Sequence, residues 1–238
     1  MRKVMIATPA HDFKADVYYI DSLVQTIRLC DSEEIAVYPV FWPGEALLQH
    51  ARNALVRLAI QADVDGILFI DADQQWPREA VLSLIDAHAD VIGCPVRKKS
   101  EKEDYNVKAL DGEVLFCRDN LVEVEAVGTG FLLVSRKALR HVWEASAPYE
   151  HNGQEFRMVF HTSMRDGQLV GEDTTFCLKL RQHGYPVYIL PQYTITHNGM
   201  KQYTGDFQSY VERLGAANKA TTSLAAVPGD TCIYVGAN

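Results

Sequence analysis

Short apolar runs and amphipathic stretches take turns along the N-terminal half of the chain. Residues 3–7 read as a first buried strand, ended by the turn Thr8-Pro9. Residues 15–29 carry Tyr19, Ile20, Leu23, Val24 and Ile27 at helical spacing. Residues 35–41 form a second strand closed by Trp42-Pro43-Gly44, and residues 45–62 place Leu47, Leu48, Ala51, Leu55, Leu58 and Ala59 three and four apart. The run Gly66 to Ile70 then lacks any alternation, as expected of a strand covered on both faces. Pro77 opens a third helix reaching about His88, and residues 90–94 are another strand. Strands alternating with helices in this way predict a doubly wound α/β layer with a mainly parallel central sheet.

The C-terminal half is less regular. Residues 107–110 and 114–117 flank Asp111-Gly112 and read as a small antiparallel hairpin. Residues 121–127 and 131–135 are strands, 136–145 a helix, and 148–168 a long polar loop, a length that marks lids and binding loops. A helix over 172–183 ends at Gly184, a strand follows at 187–190, and 207–220 reads as a last helix before a loosely held tail. At 238 residues this fits one domain, with residues 198–238 as a C-terminal lid or tail.

The 47% apolar and 23% charged fractions are those of a folded globular protein, and the formal net charge of -8 disfavours general attraction to a polyanion. No apolar run approaches the ~18 residues of a membrane span, which predicts a soluble, cytoplasmic protein. Five scattered cysteines without a C-x-x-C pair argue against a disulfide framework or a zinc ribbon and predict reduced, packed thiols.

Candidate chemistry gathers at strand ends. The run Ile67 to Pro77, ILFIDADQQWP, leaves its strand with Asp71 and Asp73 at the edge where open α/β sheets bind ligands. Two such carboxylates repel and call for a cation, though Asp-x-Asp is also ordinary turn sequence. Glu172 and Asp173 open a helix, where acids complement its dipole; one of them can also serve as a general base. His197 is a packed residue or a metal ligand. Gly128-Thr129-Gly130 is a strand bend or a close approach for a sugar, and it lacks the third glycine of the dinucleotide fingerprint. Arg52 is either solvated or a phosphate or base contact, and Arg97-Lys98-Lys99 either a solvated loop or a phosphate grip.

Taken together, Thr8-Pro9, ARN at 51–53, FIDAD, GTGF at 128–131, GED at 171–173 and His197 resemble the ordered motifs of GT-A fold glycosyltransferases of the family 2 type, including compact bacterial and phage versions. The resemblance covers the chain to about residue 206. It implies a metal-dependent transferase that moves a sugar from a nucleotide-diphosphate donor to an acceptor hydroxyl, with inversion, in a bacterial or phage-infected cytosol. By it, Asp71, Asp73 and His197 hold Mn²⁺ or Mg²⁺, and one aspartate assists through ribose or a water. Thr8, Pro9 and Arg52 line the nucleotide, Gly130 approaches the donor sugar, Asp173 is the base and Glu172 supports the acceptor. Lys201 and Tyr203 contact the diphosphate. The acceptor is a glycan, a lipid-linked sugar, a protein or a modified DNA base.

The competing readings are a haloacid-dehalogenase-like phosphatase, a sugar-nucleotidyltransferase and a non-catalytic nucleotide-sugar-binding module. The first expects Thr or Val where Gln75 stands, and the second a glycine-rich basic loop that ATPAHDFKAD lacks.

Overall fold

In the computed structural model, which describes residues 2–110, 117–118 and 121–221, the chain opens on β1 (Lys3–Ala10). Its apolar run continues through the expected turn at Thr8-Pro9. From Thr8 onward β1 pairs only with the next strand, so the N–H that Pro9 lacks is missed by no partner on the other side. α1 (Val17–Ser32) starts at Asp16, whose side chain accepts a hydrogen bond from the Tyr18 amide. β2 (Ala36–Pro43), α2 (Leu48–Gln61) and β3 (Gly66–Ile70) follow, then the two-residue β4 (Gln74–Gln75), α3 (Glu79–Asp86) and β5 (Val91–Gly93).

β6 (Val107–Lys108), β7 (Cys117–Arg118), β8 (Leu121–Val124) and β9 (Ala126–Val127) come next. The expected Asp111-Gly112 turn lies outside the described residues, and β6 pairs with β9. The single strand expected over 121–127 is interrupted at Glu125 because its two ends join different sheets: β9 joins β6, and β8 the central sheet. β10 (Phe131–Ser135) leads straight into α4 (Arg136–Ala145), where Ser135 caps the Ala138 amide.

Residues 148–168 are not the long loop expected. They form two hairpins, β11 (Pro148–His151) with β12 (Gln154–Arg157), and β13 (Ser163–Arg165) with β14 (Gln168–Val170). Their turns are Asn152-Gly153 and Asp166-Gly167, with φ of 49°, 72°, 51° and 77°. Positive φ at both central residues is what a two-residue hairpin turn demands, and Asn-Gly and Asp-Gly supply it at least cost. α5 (Glu172–Gln182), β15 (Val187–Ile189), β16 (Thr196–His197) and α6 (Phe207–Thr221) complete the described chain.

Eight strands share one sheet in the order β2-β1-β3-β10-β5-β15-β8-β7. β1 is parallel to β2 and β3, β15 is parallel to β5, and β10 runs antiparallel between β3 and β5. β8 and β7 each reverse again, so only β10 and β8 oppose the common direction. The sheet is therefore mainly parallel, as the alternating pattern predicts. Successive residues feed opposite faces: Met5, Ala7, Ile67 and Phe69 pack with Leu55, Leu139, Phe176 and Phe207 of α2, α4, α5 and α6. Val4, Ile6, Leu68 and Ile70 pack with Tyr19 and Leu23 of α1 and Leu84 of α3.

The reversed β10 brings its first residues to the rim that β3 leaves, where the Asp71 amide donates to the Gly130 carbonyl at 3.2 Å. Cys30, Cys94 and Cys177 are buried and unpaired, and burial pushes Cys30 up to about 11 and Cys177 up to about 12. Among the described residues no helix is long and apolar enough to cross a membrane.

Candidate active site

Arg52 sits on the buried face of α2 between Ala51 and Leu55 and is 1% exposed. A guanidinium there must meet carboxylates, since an unpaired buried charge is expensive. It meets three. Nη1 donates to Asp173 Oδ1 at 2.6 Å and Glu172 Oε1 at 3.1 Å, and Nη2 donates to Asp71 Oδ1 at 3.2 Å. The Phe160 ring lies under the guanidinium, 5.7 Å from Cζ to centroid. Thr129, entering the rim ahead of β10, donates its hydroxyl to the same Asp173 Oδ1. Glu172 and Asp173 are also the first residues of α5, where acids complement the helix dipole.

Three acids around one base leave the cluster acid-rich. Loss of hydration pushes the Asp71 carboxyl above its ordinary 3.8; Arg52 opposes this, while Asp173 and Asp73 add to it.

Asp73 belongs to a second group. Its Oδ2 is 3.2 Å from His197 Nε2 and receives Lys99 Nζ at 2.5 Å. Desolvation works against its charge, but the bonds from His197 and Lys99 prevail and hold its carboxyl below the ordinary value. β16 pairs with β4 and sets His197 opposite Gln74, while Nδ1 of His197 lies 3.2 Å from the Arg97 carbonyl oxygen. A second ring nitrogen held by a backbone carbonyl is how metal-bound imidazoles are commonly oriented. Asp73 and His197 thus fit one side of a divalent ion's shell. Asp71 is turned to Arg52, and the three do not converge as closely as a further trio, Glu45, His50 and His151, whose ligand atoms all lie within 4.8 Å of one another.

The other expected contacts are placed as follows. Thr8 is fully buried and its hydroxyl is 2.5 Å from Tyr19 Oη; Pro9 beside it is buried too. Gly130 faces the Asp71 carboxylate: a Cβ there would come within 3.0 Å of Asp71 Oδ2 and 3.2 Å of Gln74 Nε2. Lys201 pairs with Glu101 at 2.6 Å and lies over the Tyr203 ring, and Tyr203 exchanges backbone hydrogen bonds with His197. Of Arg97-Lys98-Lys99, Arg97 is buried and donates to loop carbonyls, Lys98 pairs with Asp104, and only Lys99 reaches the site.

Thr129 escaped prediction as a site residue because its only local signal was the glycines beside it. Gln74 and Asn198 did too. Both are buried at this rim, and Gln74 Oε1 and Asn198 Nδ2 have no hydrogen-bond partner among the described residues. Buried polar groups left in that condition are ones a ligand or a water completes.

Family models and curated proteins give no match to the chain. Among solved structures it resembles A197 from STIV, with a TM-score of 0.54 and 20% identity over 84% of this chain and 86% of that one. S. aureus TarS in complex with UDP-GlcNAc aligns at a TM-score of 0.46 and 14% identity, covering 94% of this chain and 68% of that one. GalNAc-T7 with UDP, GalNAc and Mn²⁺ aligns at 0.45 and 11%, covering 83% and 44%. The likeness to A197, at 20% identity, is one of fold alone, and that fold is GT-A-like.

Proposed function

We propose that the chain is a nucleotide-sugar-dependent glycosyltransferase acting with inversion. The observation that carries this reading is the Arg52 clamp, which gathers Asp71, Glu172 and Asp173 from two remote elements at the ligand-binding rim of the sheet.

Asp173 is the base in this reading. Its contacts with Arg52 and Thr129 both fall on Oδ1, so Oδ2 is the oxygen available to take the acceptor's proton. As that O–H bond gives up its proton, the acceptor oxygen bonds to the anomeric carbon. The bond from that carbon to the diphosphate oxygen breaks, its electron pair leaving with the nucleotide. Glu172, beside Asp173, supports the acceptor. Gly130 keeps the rim beside Asp71 open to the donor sugar, and Thr8 and Pro9 serve the nucleotide through backbone, since Tyr19 already holds the Thr8 hydroxyl. Lys201 and Tyr203, in the stretch after His197, are diphosphate contacts.

Asp73 and His197, assisted by Asp71, are the residues that would hold Mn²⁺ or Mg²⁺. Such an ion, when bound, offsets the charge that develops on a diphosphate leaving group. A second version is favoured by Lys99, whose ammonium stands 2.5 Å from Asp73 and could supply that positive charge itself.

A panel of nucleotide-sugars tested for thermal stabilisation and slow hydrolysis, with and without Mn²⁺, decides the matter. One donor is expected to stabilise the protein and be hydrolysed. Asp173→Asn is expected to keep donor binding and lose transfer. An α-linked product from an α-linked donor would overturn Asp173 as in-line base, and a chain that binds no donor is not a transferase.

A further inference from the structure

We propose that Glu45, His50 and His151 form a second metal site, for a divalent transition ion of the zinc type, where the β11–β12 hairpin meets the start of α2. Their ligand atoms lie within 4.8 Å of one another, and the three residues edge a cavity of about 420 Å³ shared with Trp42, Gln154 and Phe156. None of them belongs to the carboxylate clamp or to the Asp73–His197 pair.

The geometry is that of ligands already aimed. His50 is 7% exposed and its Nδ1 is 2.8 Å from Tyr149 Oη. With a proton on Nδ1 donated to that oxygen, the Nε2 lone pair is free, and Nε2 is the atom 3.9 Å from Glu45 Oε2. The other oxygen of Glu45 is fixed by the Leu47 amide at 2.9 Å. Each of these two ligands therefore has an outer partner that sets its orientation, as supported metal ligands do. Tyr149 and His151 are two apart on one strand and face the same way, so the strand that orients His50 also delivers the third ligand. The two imidazole rings lie 4.2 Å apart between centroids.

Zinc ligands at ~2.0–2.1 Å in a tetrahedron stand about 3.4 Å from one another. The observed spacing closes to that value when Glu45 and His50, 3.9 Å apart, approach by about 0.5 Å and the exposed His151 side chain rotates in. Two imidazoles and one carboxylate suit zinc, cobalt or nickel; magnesium and calcium prefer all-oxygen shells. Three protein ligands leave a fourth position open toward the cavity. An ion there would tie the hairpin to α2 at His50, two residues before Arg52.

The test is metal binding to the full chain after chelator treatment, titrating Zn²⁺ by calorimetry and Co²⁺ by its visible absorption. One equivalent is expected at this site, with the intense bands of four-coordinate Co²⁺ and slower amide exchange in β11 and β12. His151→Ala and Glu45→Gln, both at positions that keep solvent access, are expected to lose this binding, and Asp73→Asn to retain it. Unchanged binding in the first two variants overturns the site. So does binding that only Asp73→Asn removes, or the absence of a stoichiometric Zn²⁺ or Co²⁺ complex.

Discussion

Arg52 and Asp173 are joined at 2.6 Å across 121 positions of sequence, and through that bond α2 and α5 hold a common cluster of acids. Replacing Arg52 with methionine leaves three carboxylates without their shared cation. Breaking a buried pair costs ~3–5 kcal/mol. These carboxylates keep 20–32% of their side-chain surface, so the lower end, about 3 kcal/mol, is expected in urea unfolding at pH 7. The deficit should shrink in acid as Asp71, held above its ordinary value, protonates.

Asp71 and Asp73, one residue apart, respond to pH in opposite senses. The raised Asp71 contributes stability that is fully present below its ordinary value of 3.8 and is lost as pH rises through its folded pKa. The depressed Asp73 contributes stability present above 3.8 and lost as pH falls through its folded pKa. Asp71→Asn is therefore expected to raise the unfolding midpoint at pH 7 and Asp73→Asn to lower it. Both differences should narrow in strong acid, as read by unfolding curves from pH 2 to 8.

Gly130→Ala sets a methyl 3.0 Å from Asp71 Oδ2 and 3.2 Å from Gln74 Nε2. Overpacking of this kind costs ~1–3 kcal/mol. The carboxylate must give by a few tenths of an ångström, which disturbs its contact with Arg52, so donor binding is expected to fall more than stability does. Isothermal titration beside thermal unfolding separates the two.

Lys99 holds Asp73 Oδ2 at 2.5 Å, so a divalent ion at that oxygen would have to displace it. Lys99→Ala is expected to tighten Mn²⁺ binding at Asp73 and His197, measured by electron paramagnetic resonance of free Mn²⁺. If Lys99 supplies the positive charge itself, the same variant turns an ion-independent activity into a Mn²⁺-dependent one.

Asn53, next to Arg52, accepts from the Phe160 amide at 2.7 Å and donates to the Phe160 carbonyl at 3.1 Å. Asn53→Ala strands two buried backbone groups at ~1–3 kcal/mol each. Faster amide exchange around Phe160, next to the aromatic support of Arg52, is the expected signature.

Elements whose signal is local were legible in sequence. β3, β10 and α4 fall on the residues their patterns predict, because continuous burial and a Ser cap are encoded within a few positions. Residues 148–168, expected as a loop, hold two hairpins whose turns are Asn152-Gly153 and Asp166-Gly167. Their strands are three or four residues long and mostly exposed, too short and too polar to display an alternation. Within the site, Asp71, Asp73 and His197 carried recognisable surroundings. That Arg52 would turn to acids rather than to a ligand depends on the rotation of α2, which periodicity fixes only to within a neighbouring residue. Lys99 was one of three adjacent cations, and only the fold separates it from Lys98. His50 and His151 are united by a hairpin that had not been seen.

The reversed strand β10 also constrains the order in which the protein can be built. β3 and β5 both lie in the N-terminal half of the chain, yet they do not pair with each other; both pair with β10, which begins about forty residues after β5 ends. A nascent chain released only as far as β5 holds two fully apolar strands whose facing edges have no partner. Exposed edges of that kind are where chains stick to one another. Closure of the sheet between β3 and β5 and assembly of the Asp71–Gly130 rim thus depend on one and the same later strand.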